Sequence, residues 1–237
     1  MGRTALWTEI AESLRRDLSE GRFRVGEKLP TEAELSIRFG VNRHTVRRAL
    51  AALAQDGQVH PKRGAGVFVT TPPTNYPLGK RVRFSQNVEA SGRTPGRTIL
   101  QIETRFATEE ETKALKLGMD EKVHLAEDIT LADDVPIAVS LSAFPAKAMP
   151  RFPALLRELR SITKTLSAVG VDDYTRAQTT LTAVAATAIQ SRRLRVSEGA
   201  PLLYSVAVNV DKDGTPIEYG RTWFAGDRVN MSVTADA

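Results

Sequence analysis

Residues 29–69, LPTEAELSIRFGVNRHTVRRALAALAQDGQVHPKRGAGVFV, leave the chain little conformational choice. Pro30 stands just ahead of Thr31, and Glu34 follows three residues later, the reciprocal pattern that satisfies the free amides at a helix start. Gly40 ends that short helix by taking a left-handed conformation. Val41 and Asn42 open a second helix, in which Val46, Ala49, Leu50 and Leu53 share one face. With Val46 set at zero, a step of about 100° per residue carries His44 to about 160° and Arg48 to about 200°, with Arg47 on the flank. The polar face is therefore basic and turned away from the core. Between Arg38 and Arg63, six cations (Arg38, Arg43, Arg47, Arg48, Lys62, Arg63) accompany one acid, Asp56, the signature of a surface that displaces counterions from phosphates. After Gly57 the period becomes that of strands: Val59-His60-Pro61-Lys62 and Val67-Phe68-Val69 flank Arg63-Gly64-Ala65-Gly66 as a hairpin. Cap, short turn, one-sided charge and hairpin follow in the order a winged helix-turn-helix requires, so double-stranded operator DNA is the expected partner.

The same residues resemble the N-terminal domain of the GntR family of bacterial regulators. The family pattern, LPSEREL followed by VSRxTVRxAL and a GxGxFV wing, is matched by residues 29–35, 41–50 and 64–69. By that resemblance, contacts to bases and phosphates fall on Arg43, Thr45 and Arg47 and, at the wing tip, on Arg63 and Gly64, with His44 tuning sequence choice. Thr31, Arg48 and Lys62 complete the expected DNA-binding set. Ala33 stands where the family usually carries Arg; a bidentate Arg–guanine contact is worth about 1–3 kcal/mol of discrimination, so its loss should relax or shift the operator sequence.

At 237 residues the chain has room for two domains, and 41% hydrophobic with 26% charged residues is an ordinary globular composition. Its net charge of +5 is uneven: residues 1–75 hold 12 basic and 8 acidic residues, residues 76–237 hold 21 and 20. A polyanion is thus expected to meet the N-terminal third. Cysteine is absent, and the three histidines, His44, His60 and His124, are far apart in sequence, so neither a metal nor another cofactor is expected. No run approaches the roughly 18–20 apolar residues of a membrane span, and no signal-peptide core opens the chain, so a cytoplasmic protein with no membrane partner is expected. A first helix over residues 6–20 carries Trp7, Ile10, Ala11, Leu14 and Leu18 on one stripe, with Trp7 as core filler. Thr70-Thr71-Pro72-Pro73-Thr74 lacks any period and reads as a stiff connection. The expected division is a reading head over 1–70, a linker over 71–79 and a second domain over 80–237.

The second domain contains an internal repeat. Asp133-Asp134-Val135-Pro136-Ile137 returns 80 residues later as Asp213-Gly214-Thr215-Pro216-Ile217, and Phe144 returns as Phe224. Each copy follows an alternating strand, residues 123–131 and 202–210, and each hairpin follows a helix, residues 108–117 closed by Gly118 and residues 183–194. A third helix over 154–169 joins the copies. The expected fold class is mixed α/β: a winged helix-turn-helix joined to a C-terminal α+β domain, an antiparallel sheet with helices on one face.

This region resembles the effector-binding (UTRA) module of the HutC subfamily, whose fold is similar to chorismate lyase but serves ligand sensing. Asn75-Tyr76-Pro77-Leu78 with Arg83-Phe84-Ser85-Gln86-Asn87 is similar to the regulators of phosphonate uptake and breakdown within that subfamily. The resemblance implies a small anionic effector, a phosphonate or phosphate-bearing metabolite, held by Phe84, Ser85, Gln86 and Asn87 with Ser161, Arg176 and Gln178; Glu218, Tyr219 and Arg221 would close the site. Where phosphosugar sensors carry arginines on the first hairpin, this chain has Glu127, Asp128 and Thr130, which would meet a ligand amine or face solvent. A lyase-like enzyme is disfavoured by a single histidine and the lack of a phosphate loop or nucleophile elbow in this region. A non-specific architectural DNA protein would have no use for a second, nearly neutral domain. The expectation is a ligand-responsive repressor acting as a homodimer on phosphonate genes, with a HutC-type regulator of another small-molecule pathway as the alternative.

Overall fold

The computed structural model describes residues 6–24, 26–62, 64–70 and 73–233. The chain divides into two compact units after Pro73. The first unit contains α1 (Leu6–Ser19), α2 (Glu32–Phe39), α3 (Arg43–Gln55), β1 (Val59–Lys62) and β2 (Gly66–Val69). Thr31 caps α2 in a complete capping box with Glu34, and Gly40 leaves that helix at φ 63°. Asn42 caps α3, accepting from the Thr45 amide at 2.9 Å. Val46, Ala49, Leu50 and Leu53 are buried against Ile10, Ala11 and Leu14 of α1, as their spacing requires. Strands β1 and β2 pair antiparallel with Lys62 opposite Gly66, forming the expected wing.

The second unit starts earlier than expected. Thr74–Pro77, within the expected 71–79 linker, is strand β3; Thr71 and Pro72 lie outside the described residues. Then follow α4 (Phe84–Ala90), β4 (Pro95–Phe106), α5 (Glu109–Leu115), β5 (Lys122–Ala132), β6 (Val135–Pro145), α6 (Phe152–Leu159), α7 (Ile162–Ala168), β7 (Tyr174–Ala185), α8 (Ala188–Leu194), β8 (Pro201–Asp211), β9 (Pro216–Ala225) and β10 (Val229–Ser232). Strand β3 pairs parallel with β10, a long-range contact no local pattern announces.

The other six strands form one antiparallel sheet in the order β4-β5-β6-β9-β8-β7. The repeat therefore becomes two three-stranded halves joined through β6 and β9. Leu141 pairs with Arg221 in that seam, and these residues are separated by the same 80 positions as the repeated Pro-Ile turns, so a pseudo-twofold axis passes through this pair. Both hairpin turns form: Asp133 and Asp134 take φ 49° and 61°, the paired left-handed conformation of a two-residue turn, and Gly214 takes 79° in the second. The capping boxes repeat too, Thr108 with Glu111 and Thr187 with Gln190.

Four expectations are corrected. The helix expected over 183–194 begins only at Ala188, because β7 runs on to Ala185 and Thr187 supplies the cap. Helix α5 is closed by Lys116 at φ 52°, two residues before Gly118. The single helix expected over 154–169 is broken by Arg160 at φ 49° and restarted by Ser161, which caps α7. Helices also cover both faces of the sheet, whereas one covered face was expected. On β6, Phe144 meets α6 through Phe152, with ring centroids 4.0 Å apart, while Ala143 and Val139 on the opposite face meet Leu115 of α5 and Leu194 of α8. Such a sheet, buried on both sides, reads as nearly continuous apolar sequence, and β6 does.

Thr187→Ala removes one reciprocal cap at an exposed site and should cost about 0.5–2 kcal/mol of stability, with α8 fraying first. Unchanged amide exchange in 188–194 would contradict it.

Candidate functional site

On the first unit, Arg43, His44, Arg47 and Arg48 are all exposed on α3, with His44 and Arg48 opposite its apolar stripe and Arg43 and Arg47 on its flank. Thr45 is half-buried, and its hydroxyl is engaged with Asn42 Oδ1 at 2.9 Å. The Arg47 guanidinium forms a two-pronged pair with Glu32 at the start of α2, Nε to Oε1 at 2.9 Å and Nη2 to Oε2 at 2.6 Å. That hydrogen-bonded pair, against some desolvation, holds the Glu32 carboxyl below its usual range. Arg48 stands over the Trp7 ring at 4.7 Å, so Trp7 is core filler on one side and a cation platform on the other. Thr31 is held by its capping box. Gly64 sits at the wing tip at φ 75°, with open space around it. Arg63 lies outside the described residues, and Lys62 is placed by its backbone as the last residue of β1.

On the second unit, a cavity of about 90 Å³ opens on the sheet face covered by α4, α6 and α7. Five expected residues reach it: Phe84, Ser85, Ser161, Arg176 and Glu218. It is lined by hydroxyls, from Thr130, Ser140, Ser142, Thr163, Tyr174 and Thr222, and by Arg97 and Asn209. Tyr76 also lines it, and burial pushes that phenol up to about 12, so it stays a neutral donor. Arg176 is held through its backbone amide, 2.8 Å from the Lys80 carbonyl, and its Nε is buried without a hydrogen-bond partner. Glu218 is 8% exposed, and its Oε2 accepts from Asn209 Nδ2 at 2.7 Å. Arg97 is paired with fully buried Asp128; burial outweighs that guanidinium and raises the Asp128 carboxyl above its ordinary value, its Oδ2 having no partner.

The other five expected effector residues do not line this cavity. Gln86 is exposed on α4, and Asn87 is half-buried there with its amide nitrogen unpartnered: the helix sends successive residues to different sides. Gln178 is displaced by a bulge in β7. Arg176 pairs with Asn209, but the register shifts before Gln178 pairs with Val208, so the extra residue turns Gln178 to the opposite face. Tyr219 and Arg221 alternate with Glu218 along β9 and also face that side. There, the Tyr219 hydroxyl donates to Glu110 at 3.5 Å, and Arg221 lies 4.0 Å from Glu111. Of the first-hairpin residues, Glu127 pairs with Arg193 while Asp128 and Thr130 face the cavity side; none is simply solvent-facing.

Arg97, Ser140, Ser142, Asn209 and Thr222 went unrecognised in the sequence. A signal existed for two of them: Ser140 and Ser142 put hydroxyls two apart, on one face, within the apolar strand VPIAVSLSAFP. His124, the second unit's single histidine, is buried between Thr104 Oγ1 at 2.8 Å and the Met149 carbonyl at 3.2 Å, and burial lowers its pKa. It sits in the core, stacked beside Phe152.

A basic reading head followed by a separate α+β unit with a polar cavity defines a two-domain regulator. Residues 6–69 match the model of bacterial regulatory proteins of the gntR family, and residues 90–230 match the UTRA domain. The chain belongs to the GntR family of transcriptional regulators, with the HutC-type architecture. It is 36% identical over 230 residues to a helix-turn-helix transcriptional regulator of Rhizobium meliloti, covering 97% of this chain and 94% of that one. It is 31% identical over 233 residues to PhnF of Escherichia coli, named as a probable transcriptional regulator, covering 96% and 94%. The crystal structure of PhnF from Mycobacterium smegmatis matches with a TM-score of 0.69 at 27% identity, covering 96% of this chain and 99% of that one. No helix among the described residues is long and apolar enough to cross a membrane.

Proposed function

We propose that this chain is a repressor that binds a palindromic operator as a homodimer and is released when a small phosphonate or phosphate-bearing effector enters the cavity of the second unit. The observation that carries this reading is Arg176, whose buried, unpartnered Nε stands in a wall of hydroxyl donors. A buried N–H left without a partner is costly, and an oxyanion ligand that accepts from it repays that cost. The relatives named PhnF support the phosphonate class, and the relative named as the repressor NagR in Bacillus subtilis, 28% identical over 229 residues, supports repression. Dimerisation follows from the reading head: one α3 reads only a few base pairs, and two related by a dyad read an inverted repeat with useful affinity. By linkage, effector and operator weaken each other's binding by the same factor.

Fluorescence anisotropy on a duplex from upstream of the chain's own gene, at fixed salt, tests the reading. Sequence-dependent binding that one phosphonate or phosphate ester releases is the expected result. Binding indifferent to such ligands, or a monomer on a single half-site, would refute the corresponding part. Lys62→Ala, as a phosphate contact at the wing, should weaken all sequences alike and reduce the salt slope by about one.

A further inference from the structure

We propose that the cavity selects a zwitterion, with Arg176 meeting an oxyanion and Glu218 meeting an ammonium group on the same small molecule. The inference rests on the reading of this cavity as the effector site and names the ligand's second charge.

The charges around the cavity are not equivalent. Arg97 is paired with Asp128 behind it. Arg83, beside the wall, donates to the Tyr174 carbonyl at 2.8 Å, lies over the Tyr174 ring and pairs with Asp173, which also pairs with Arg81. Two charges remain without a counter-ion among the described residues, Arg176 and Glu218, and they are opposite in sign. The Asn209 amide orients the Glu218 carboxylate but does not neutralise it, and burying an unpaired carboxylate is expensive. A dianion without an ammonium group would add to that cost. A ligand carrying both charges relieves it at each end.

The register fixes the geometry. Arg176 pairs with Asn209 across β7 and β8, and Asn209 pairs with Glu218 across β8 and β9, so the three residues form one row on one face. Arg176 and Glu218 are two strand spacings apart, about 10 Å between backbones. Side chains reaching inward from both ends leave a gap suited to a short spacer of a few bonds, in keeping with a cavity of about 90 Å³. Gly220 lies beside the ammonium end: a Cβ there would sit in ordinary contact, 3.6 Å from Glu218 Oε1 and 3.7 Å from Ser142 Oγ, which places the carboxylate next to the Ser142 hydroxyl of the cavity wall.

The test is calorimetric titration of the full-length protein with matched ligands: 2-aminoethylphosphonate against ethylphosphonate, 3-aminopropanoate against propanoate, and ethylamine alone. The aminated member of at least one pair is expected to bind tenfold or more tightly than its amine-free partner, with ethylamine not binding. The pair that binds identifies the oxyanion as phosphonate or carboxylate. In Glu218→Gln the preference for the amine should fall to about one, while Glu218→Asp retains part of it; Arg176→Gln should weaken every oxyanion. Thermal melts of the three variants separate these effects from misfolding. Equal binding of ethylphosphonate and its aminated partner would overturn the zwitterion and leave the effector cavity standing. Failure of both aminated ligands to bind at millimolar concentration would overturn it as well; operator release by a larger phosphate ester would then still support the cavity as an effector site, and the absence of any release would overturn both.

Discussion

Glu111→Ala is expected to cost the second unit about 3 kcal/mol, the low end of the usual range for breaking a buried ion pair. The carboxylate is 1% exposed and accepts three hydrogen bonds. It accepts from Arg105 Nη1 at 2.7 Å and Nη2 at 2.8 Å, and from the Thr108 amide at 2.9 Å, while Thr108 caps the Glu111 amide in return. The low end applies because Arg105 is 28% exposed and regains water when its partner goes. Burial pushes the Glu111 carboxyl up, but the Arg105 guanidinium and the Thr108 amide together outweigh burial and hold it below its ordinary value of 4.5. A depressed carboxylate contributes stability that is present in full above that ordinary value and is lost as pH falls through the folded value. Urea midpoints at neutral pH and near pH 3 check both claims. The parent should lose more than the variant on acidification, and an equal loss would show that Glu111 does not carry this linkage.

Arg47→Ala is expected to weaken operator binding by about 1–3 kcal/mol and to blur preference at the base pair it reads. The pair with Glu32 does not forbid that role. Its side chains are 60% and 33% exposed, and such a surface pair is worth about 0–1 kcal/mol, less than a bidentate base contact. A base contact by Arg47 would therefore outcompete Glu32, which would act as a weak latch on Arg47 in the free protein. Glu32→Gln should raise affinity, by no more than about fivefold, without changing the preferred sequence. A duplex panel with single-base changes measures both. Loss of affinity in Glu32→Gln would mean the pair positions Arg47 for DNA, and an Arg47→Ala head with unaltered base preference would place the readout elsewhere on α3.

The reading head was legible because its determinants are local. Caps, a left-handed Gly40, an apolar stripe at helical spacing and a glycine-rich hairpin each involve residues a few positions apart. The repeat in the second unit was legible for a related reason: two-residue turns and Pro-Ile pairs leave marks in the sequence, and the mark predicted paired hairpins. Less legible were endings set by ordinary residues. Lys116, Arg160 and Arg195 all take left-handed conformations that glycine usually supplies, so nothing at those positions announces a stop.

What the sequence alone determined is the order of elements in the reading head, its basic face, the two repeated hairpins of the second unit and the identity of five cavity residues. The tertiary structure decided which faces those elements share. Strand alternation separates Tyr219 and Arg221 from Glu218, a single bulge carries Gln178 away from Arg176, and the seam between β6 and β9 brings Ser140 and Ser142 beside Thr222. Those outcomes depend on pairing between strands about 80 residues apart, and a one-residue shift in register reverses every side chain, so local pattern cannot resolve them. The cavity exists only once the two halves meet.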